Sequence, residues 1–384
     1  MVPAQAQTVH APIYFISNFE RPTAQNTVYV ADRTPLDNVF LDIFGTDSPS
    51  TRSNWQSSME RFSGATAVSG ASIGAFRINV KDKTKGKAVI ADDPVVANRP
   101  NKVLHYQFAG ITEAIGSDPK LHKSRVQSEA YENINLREFY QQVRVFIPAS
   151  LYDRLKDVPN NWDSNYSWFS LYEADSQNLE TATSKARGSR VIFNVWRDGG
   201  PGGNLYFKLS GDVDNPENTA YINQWQFTST AQVPRDQWFR LTFYIKEGGN
   251  SNTGTNSGEV YVEMMVDGAT SKVPLFKILG PTRALNPTNK KEGYTAFSGM
   301  KTYTNKPIID WVTLTNPTQK VPINIFWDDY RIYIGRFPDA WRITPTYRTE
   351  ANVKASVTES GTVTNGGSYP TGVVPPLKWV PHLP

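Results

Sequence analysis

From about Ala11 to Gly335 the chain repeats one pattern: short runs of alternating apolar and polar residues, separated by clusters of turn formers. Residues 238–246 set Phe239, Leu241, Phe243 and Ile245 against Arg240, Thr242, Tyr244 and Lys246. Residues 259–267 set Val260, Val262, Met264 and Val266 against Glu259, Tyr261, Glu263 and Asp267. A period of two sends successive side chains to opposite faces of an extended strand. The runs 137–148, 168–174, 190–197, 204–209 and 323–334 are rich in the aromatic and β-branched residues that favour strands. Glycine- and asparagine-rich turns at 198–204, 248–254 and 267–268 lie between them. Helical patterns are short, and the clearest is Ala149–Lys156, directly after Pro148. Strand follows strand with little chain left for parallel crossovers, which predicts an antiparallel sandwich. After Trp341 sustained alternation stops. Residues 344–384, rich in Pro, Thr, Ser, Gly and Val, read as an extended tail. Residues 1–10 read as a flexible remnant, which leaves 11–343 as one domain; no internal repeat is visible.

The polar rows change the picture. Arg125, Gln127 and Glu129 share one side of a strand, as do Glu138, Tyr140, Gln142 and Arg144. Such rows suit a solvated outer face, or a groove if the sheet is concave. The aromatic residues Tyr140, Tyr172, Trp196 and Tyr244 stand among these polar groups, where a plain solvent face has little use for them. Rings stack on sugar faces, and Arg, Gln and Glu bond hydroxyls and carboxylates, so a groove of this composition suits a polysaccharide.

Composition narrows the classes further. Ten Trp, eighteen Tyr and nineteen Phe in 384 residues, with 20% charged residues, argue against disorder. No apolar run is long enough to cross a bilayer. Without cysteine there is no disulfide frame, thiolate metal site or cysteine nucleophile, and four histidines argue against a multi-histidine metal centre. A net charge of +4 over this length is too weak to call for nucleic acid. The Ala-Gln-Ala sequence at residues 4–6 reads like the trailing edge of a removed secretory signal, which implies a secreted or periplasmic protein.

Several segments occur in an order that resembles heparin-lyase-like polysaccharide lyases. These are Ser-Arg-Val-Gln-Ser-Glu (124–129), Arg-Glu-Phe-Tyr-Gln (137–141) running on to Pro148, Trp-Phe-Ser-Leu (168–171), residues 233–241, 258–268 and 326–333, with 91–95 and 102–106 upstream. The resemblance covers most of residues 14–335. It implies an all-β fold, a concanavalin-like β-jelly roll of two antiparallel sheets, and β-elimination on a uronic-acid polymer. That chemistry neutralises the C5 carboxylate, removes the C5 proton and protonates the departing O4. Carried over by motif, Arg125 and Gln127 meet the carboxylate, with Asn194 beside them, and Tyr244 with Lys246 forms the tyrosine–lysine strand that exchanges the proton. Glu129, Tyr140, Gln142, Arg144, Tyr172, Glu173, Asn194 and Trp196 then line the substrate groove. One departure matters: where such lyases often carry a Gln–His pair, this chain has Tyr172 and Glu173. His105 and His122 could reach the groove, but single histidines are more often structural. The resemblance also implies structural Ca²⁺ joining the first and last strands, through Glu20, Asp328 and Asp329. The implied partner is an acidic polysaccharide or oligosaccharide, bound by a monomer.

Other signals fail on context. Residues 70–74 match the Gly-X-Ser-X-Gly pattern, but no strand–turn–helix surrounds them. The glycine cluster at 199–203 lacks a following Lys-Ser or Lys-Thr. Glu173 and Asp175 begin like the carboxylate strand of retaining glucanases, but polar residues interrupt the alternation. The expectation is a polysaccharide lyase. The alternatives are a non-catalytic glycan-binding protein of the same fold and a jelly-roll glycoside hydrolase using Glu173 with a second carboxylate.

Overall fold

The computed structural model describes residues 13–17, 19, 39–41, 71–80, 82, 84–95, 101–114, 117, 122–159, 162, 168–177, 187–214, 221–248, 258–279, 282, 293–316, 319–320 and 322–334. Glu20 and the segments 1–10 and 344–384 lie outside them.

Alternation became strand wherever it was regular. One eight-stranded antiparallel sheet runs in the spatial order β4 (Gly86–Asp92), β5 (Lys102–Phe108), β19 (Ile323–Ile334), β7 (Glu138–Phe146), β12 (Trp238–Lys246), β13 (Glu259–Val266) and β14 (Val273–Leu279). Its eighth strand, β1 (Ile13–Ser17), pairs with β19. The other sheet has nine strands. It runs from β2 (Val39–Leu41) through β3 (Ala75–Val80), β6 (Lys123–Tyr131), β15 (Ala296–Ser298), β8 (Phe169–Gln177), β9 (Arg187–Arg197) and β10 (Leu205–Asp214) to β11 (Tyr221–Gln232). The short strand β16 (Lys301–Asn305) continues β15 between β6 and β8. A small ribbon, β17 (Leu314–Asn316) with β18 (Gln319–Lys320), stands apart. Helices are limited to α1 (Ala149–Lys156), at the predicted place, and α2 (Lys306–Thr313). The architecture is the expected all-β jelly-roll sandwich of two antiparallel sheets.

The apolar row of each strand meets its counterpart between the sheets. Phe239, Leu241, Phe243 and Ile245 of β12 are buried there. Phe243 stacks on Tyr172 at 4.2 Å between ring centroids and meets Phe193 edge-on at 5.1 Å, while Phe139 stacks on Phe297 at 4.9 Å. These rings bury large areas and fix the register of the two layers. Tyr172 therefore belongs to the core. A shift in the β8–β9 register between Ser170 and Tyr172 turns its side chain inward, against the groove role expected of it. Gly211 of β10 lies so close to Trp225 that a β-carbon there would sit 2.1 Å from the indole. Only glycine permits that approach.

Candidate functional site

With the inner faces filled, function falls to the outer ones. On the nine-stranded sheet the polar rows fall into line across strands. Arg125 pairs with Tyr303, Tyr303 with Ser170, Ser170 with Asn194, Asn194 with Lys208, and Lys208 with Thr228. The neighbouring row holds Asn79, Gln127 and Lys301. A groove of about 250 Å³ lies on this face, lined among others by Lys123, Trp168, Tyr303, Glu173, Asn194 and Trp196. Of the residues expected to bind substrate, Glu173, Asn194 and Trp196 line this groove, and Arg125, Gln127 and Glu129 share its sheet face.

Tyr303 is the residue that the motif comparison missed. Its ring packs at 4.4 Å from that of Trp168. Lys301 Nζ lies 4.6 Å from its ring centroid, the Arg125 guanidinium carbon 4.7 Å and Lys123 Nζ 5.6 Å. Three cations thus surround one phenol ring. Two have acidic partners: Arg125 donates to Glu113 at 2.7 Å, and Lys301 contacts Glu173, which also faces Arg190 at 3.6 Å. Burial, and then Arg125, press the Lys301 ammonium well below the ordinary lysine range, and Glu173 is its counter-charge. Arg190 in turn donates to Asp212 at 2.5 Å. On this face Arg125 Nε, Gln127 Oε1 and Asn79 Oδ1 are buried without a partner. Buried polar atoms carry a cost unless something bonds them. Amide oxygen and nitrogen are interchangeable by a flip, so Gln127 can present a donor as readily as an acceptor.

The outer face of the eight-stranded sheet carries the other expected residues. Tyr333, Tyr140, Tyr244 and Tyr261 align across four strands. Tyr244 Oη donates to Glu138 Oε1 at 2.6 Å, and Gln142 Nε2 donates to Tyr140 Oη at 2.9 Å. Tyr244 and Lys246 therefore lie across the sandwich core from Arg125 and Gln127, with a layer of about 10 Å between the sheets. The four do not form one site. The motif comparison placed them on one face because alternation assigns a side of a strand but not which sheet the strand joins. Tyr140, Gln142 and Arg144 belong to this second face as well. Tyr303 was legible in principle: Lys301, Tyr303 and Asn305 alternate in 301–305, but the run is too short to stand out.

The expected calcium ligands also lie on the eight-stranded sheet. Asp328 accepts from Arg144 at 2.6 Å and from the backbone N–H of Asp329 at 2.8 Å. Arg144 also pairs with Asp267 at 2.5 Å, and Asp329 lies 3.7 Å from Arg240. Burial, and then Asp329, raise the Asp328 carboxyl to about 6, against the Asp329 N–H and Arg144, which favour its charged form. The described residues contain no group of three acidic or histidine ligands. Asp328 and Asp329 are held in an arginine network, and Glu20, the third expected ligand, lies outside the described residues.

His105, on the same face, donates from Nε2 to Asn324 Oδ1 at 2.8 Å and stacks on Phe326 at 4.4 Å. It belongs to this packing. His122 provides a backbone carbonyl to the Lys306 N–H at the start of α2.

No protein-family model matches the sequence, and neither does any curated protein. Among solved structures, the chain is similar to the PL-14 alginate lyase from Aplysia kurodai, at 7% identity and TM-score 0.36 over 64% of this chain and 87% of that one. It is also similar to the Ca²⁺/Man3GlcNAc-bound VIP36 exoplasmic/lumenal domain, at 8% and 0.32 over 66% and 83%. A third is the GH131 β-glucanase catalytic domain from Podospora anserina, at 11% and 0.28 over 65% and 80%. Likenesses at this level assign neither activity nor ligand, and no family match stands behind the heparin-lyase-like motifs.

Proposed function

We propose that the protein binds an acidic polysaccharide along the outer face of its nine-stranded sheet and cleaves it there by β-elimination. The observation that carries this reading is the buried Arg125 Nε without a partner, with the guanidinium carbon 4.7 Å from the Tyr303 ring and the unpartnered Gln127 Oε1 on the same strand face, a group that can receive a carboxylate next to a phenol once the Gln127 amide is flipped. Arg125 and Gln127 would take up the charge of the C5 carboxylate, which makes the C5 proton removable. Tyr303, reacting as its phenolate, would accept that proton as the C4=C5 double bond forms. The C4–O4 electron pair leaves on oxygen, and the same phenol can return a proton to O4. Trp168, Ser170, Asn194 and Trp196 line the groove that would hold the sugars. Export from the cytoplasm fits such a substrate.

Hydrolysis is the weaker reading. It needs a pair of carboxyl groups flanking the bond, whereas Glu173 is engaged by Lys301 and faces Arg190. The test is a panel of alginate, glucuronan, ulvan and glycosaminoglycans. Elimination gives a rise in ultraviolet absorbance from the new conjugated double bond with at least one uronate polymer. Binding without that rise makes the protein a glycan-binding module. New reducing ends without it make the protein a hydrolase.

A further inference from the structure

The groove extends along the strands beyond the row that holds Tyr303. On the side of Lys301, the next row sets Glu173 against Ile192, Ile192 against Ser210 and Ser210 against Gln226. One row further, Arg190 pairs with Asp212. All six residues line the groove. From Asn194, in the Tyr303 row, to Arg190 is a run of four residues along β9, about 13 Å. That is more than the length of one sugar ring, so this end meets a different sugar from the one beside Tyr303.

The two ends differ in chemistry. Lys123 and Arg125 face the Tyr303 ring, and Lys208 Nζ lies 3.4 Å from the centroid of Trp196, so these cations gather on the Tyr303 side. At the far end the charges answer one another. Glu173 contacts Lys301 and lies 3.6 Å from Arg190, and Arg190 donates to Asp212 through Nη2 at 2.5 Å and Nε at 3.2 Å. A uronate carboxylate brought here would face two carboxylates and a guanidinium that both already engage, and like charges set side by side oppose binding. A sugar hydroxyl or amide N–H meets no such opposition, because carboxylate oxygens accept hydrogen bonds from either. Ile192, half-buried between Glu173 and Ser210, adds an apolar patch for the C–H face or a methyl group of an uncharged sugar.

We propose that the end of the groove formed by Glu173, Ile192, Arg190 and Asp212 receives an uncharged sugar, so that the preferred ligand is a polysaccharide in which uronates alternate with neutral sugars and not an unbroken polyuronate. The inference rests on the proposed acidic-glycan groove and deepens it by naming the class of polymer. One end of the groove then selects the uronate, and the other rejects a second charge.

The test is calorimetric titration of the full chain with hyaluronan and unsulfated chondroitin oligosaccharides, in which glucuronate alternates with an N-acetylhexosamine. Oligoglucuronates and oligomannuronates of the same length are the comparison. The wild type binds at least one alternating oligosaccharide about tenfold more tightly than either homopolymer. Ile192→Lys adds a cation at the far end, and Asp212→Asn removes one of its carboxylates. Each raises the affinity for the homopolymers and narrows the preference to about threefold or less. A variant that merely loosened the fold would weaken both kinds of ligand alike. Equal affinities in the wild type, or tighter binding of a homopolymer, overturns the neutral end while leaving the groove, and this comparison needs no variant. A preference that both variants keep unchanged overturns it as well. Absence of binding by any uronate oligosaccharide overturns the groove and the neutral end together. Binding with the preference but without double-bond absorbance overturns only the elimination chemistry.

Discussion

At the scale of single residues, both sheets bind many of their polar side chains internally and both retain buried polar atoms without partners, Arg240 Nε and Arg331 Nε on the eight-stranded one. On the eight-stranded sheet Tyr140, Gln142, Tyr244, Glu138 and His105 hydrogen-bond to groups of the chain itself. On the nine-stranded sheet Gln127, Asn79 and Arg125 retain buried atoms without partners. His105 shows what packing does to a titratable group. Burial, and to a lesser degree Lys87, hold its imidazole below the ordinary value of 6.5, against the Asn324 hydrogen bond that favours the charged ring. The unfolded chain therefore takes up this proton first. His105 contributes stability that is complete above pH 6.5 and is lost as the pH falls below it. The variant His105→Phe keeps the ring against Phe326 and should lack that part of the acid-side fall, as melting temperatures measured from pH 8 to pH 5 would show. An equal fall in the variant would contradict this assignment. Which tyrosine sits in a groove could not be read from alternation. Tyr244 and Tyr303 lie in similar polar rows, and only strand pairing sends one to each sheet.

At the scale of elements, strand and core were legible because the period of two is strict in β12 and β13, and α1 because Pro148 starts it. The regions that escaped were short or bulged. β16 has five residues, and in β8 the shifted register moves Tyr172 from the polar row into the core. A bulge changes the face of every side chain beyond it, and nothing in the residues around Leu171 announces one. Two predictions belong to this scale. In β10, Gly211→Ala drives a methyl group into Trp225, and urea unfolding should show a loss of about 1–3 kcal/mol; unchanged stability would contradict the close approach. Between β16 and β8, Glu173→Gln leaves the Lys301 ammonium buried without its counter-charge. It should cost about 3 kcal/mol, and adding Lys301→Met should recover much of that in a double-mutant cycle. Purely additive losses would mean that the two side chains do not act as a pair.

At the scale of the whole molecule, the sandwich separates two jobs. The layer between the sheets provides the stability, since a chain without cysteine has no disulfide to provide it. One outer face carries tyrosine and arginine–aspartate networks. The other keeps a groove in which aromatic rings, cations and unused amides meet. The motif comparison identified the chemistry of that groove through Arg125, Gln127, Asn194 and Trp196, but joined to it a tyrosine from the far side. The central claim is that any cleavage occurs at Tyr303. It is tested most directly by measuring double-bond absorbance for the wild type, Tyr303→Phe and Tyr244→Phe on the uronate polymer that the wild type cleaves best. The account predicts that Tyr303→Phe loses activity by about 100-fold or more while still binding the polymer, and that Tyr244→Phe stays within a few-fold of the wild type. Activity retained in Tyr303→Phe and lost in Tyr244→Phe would contradict it and move the site to the opposite sheet.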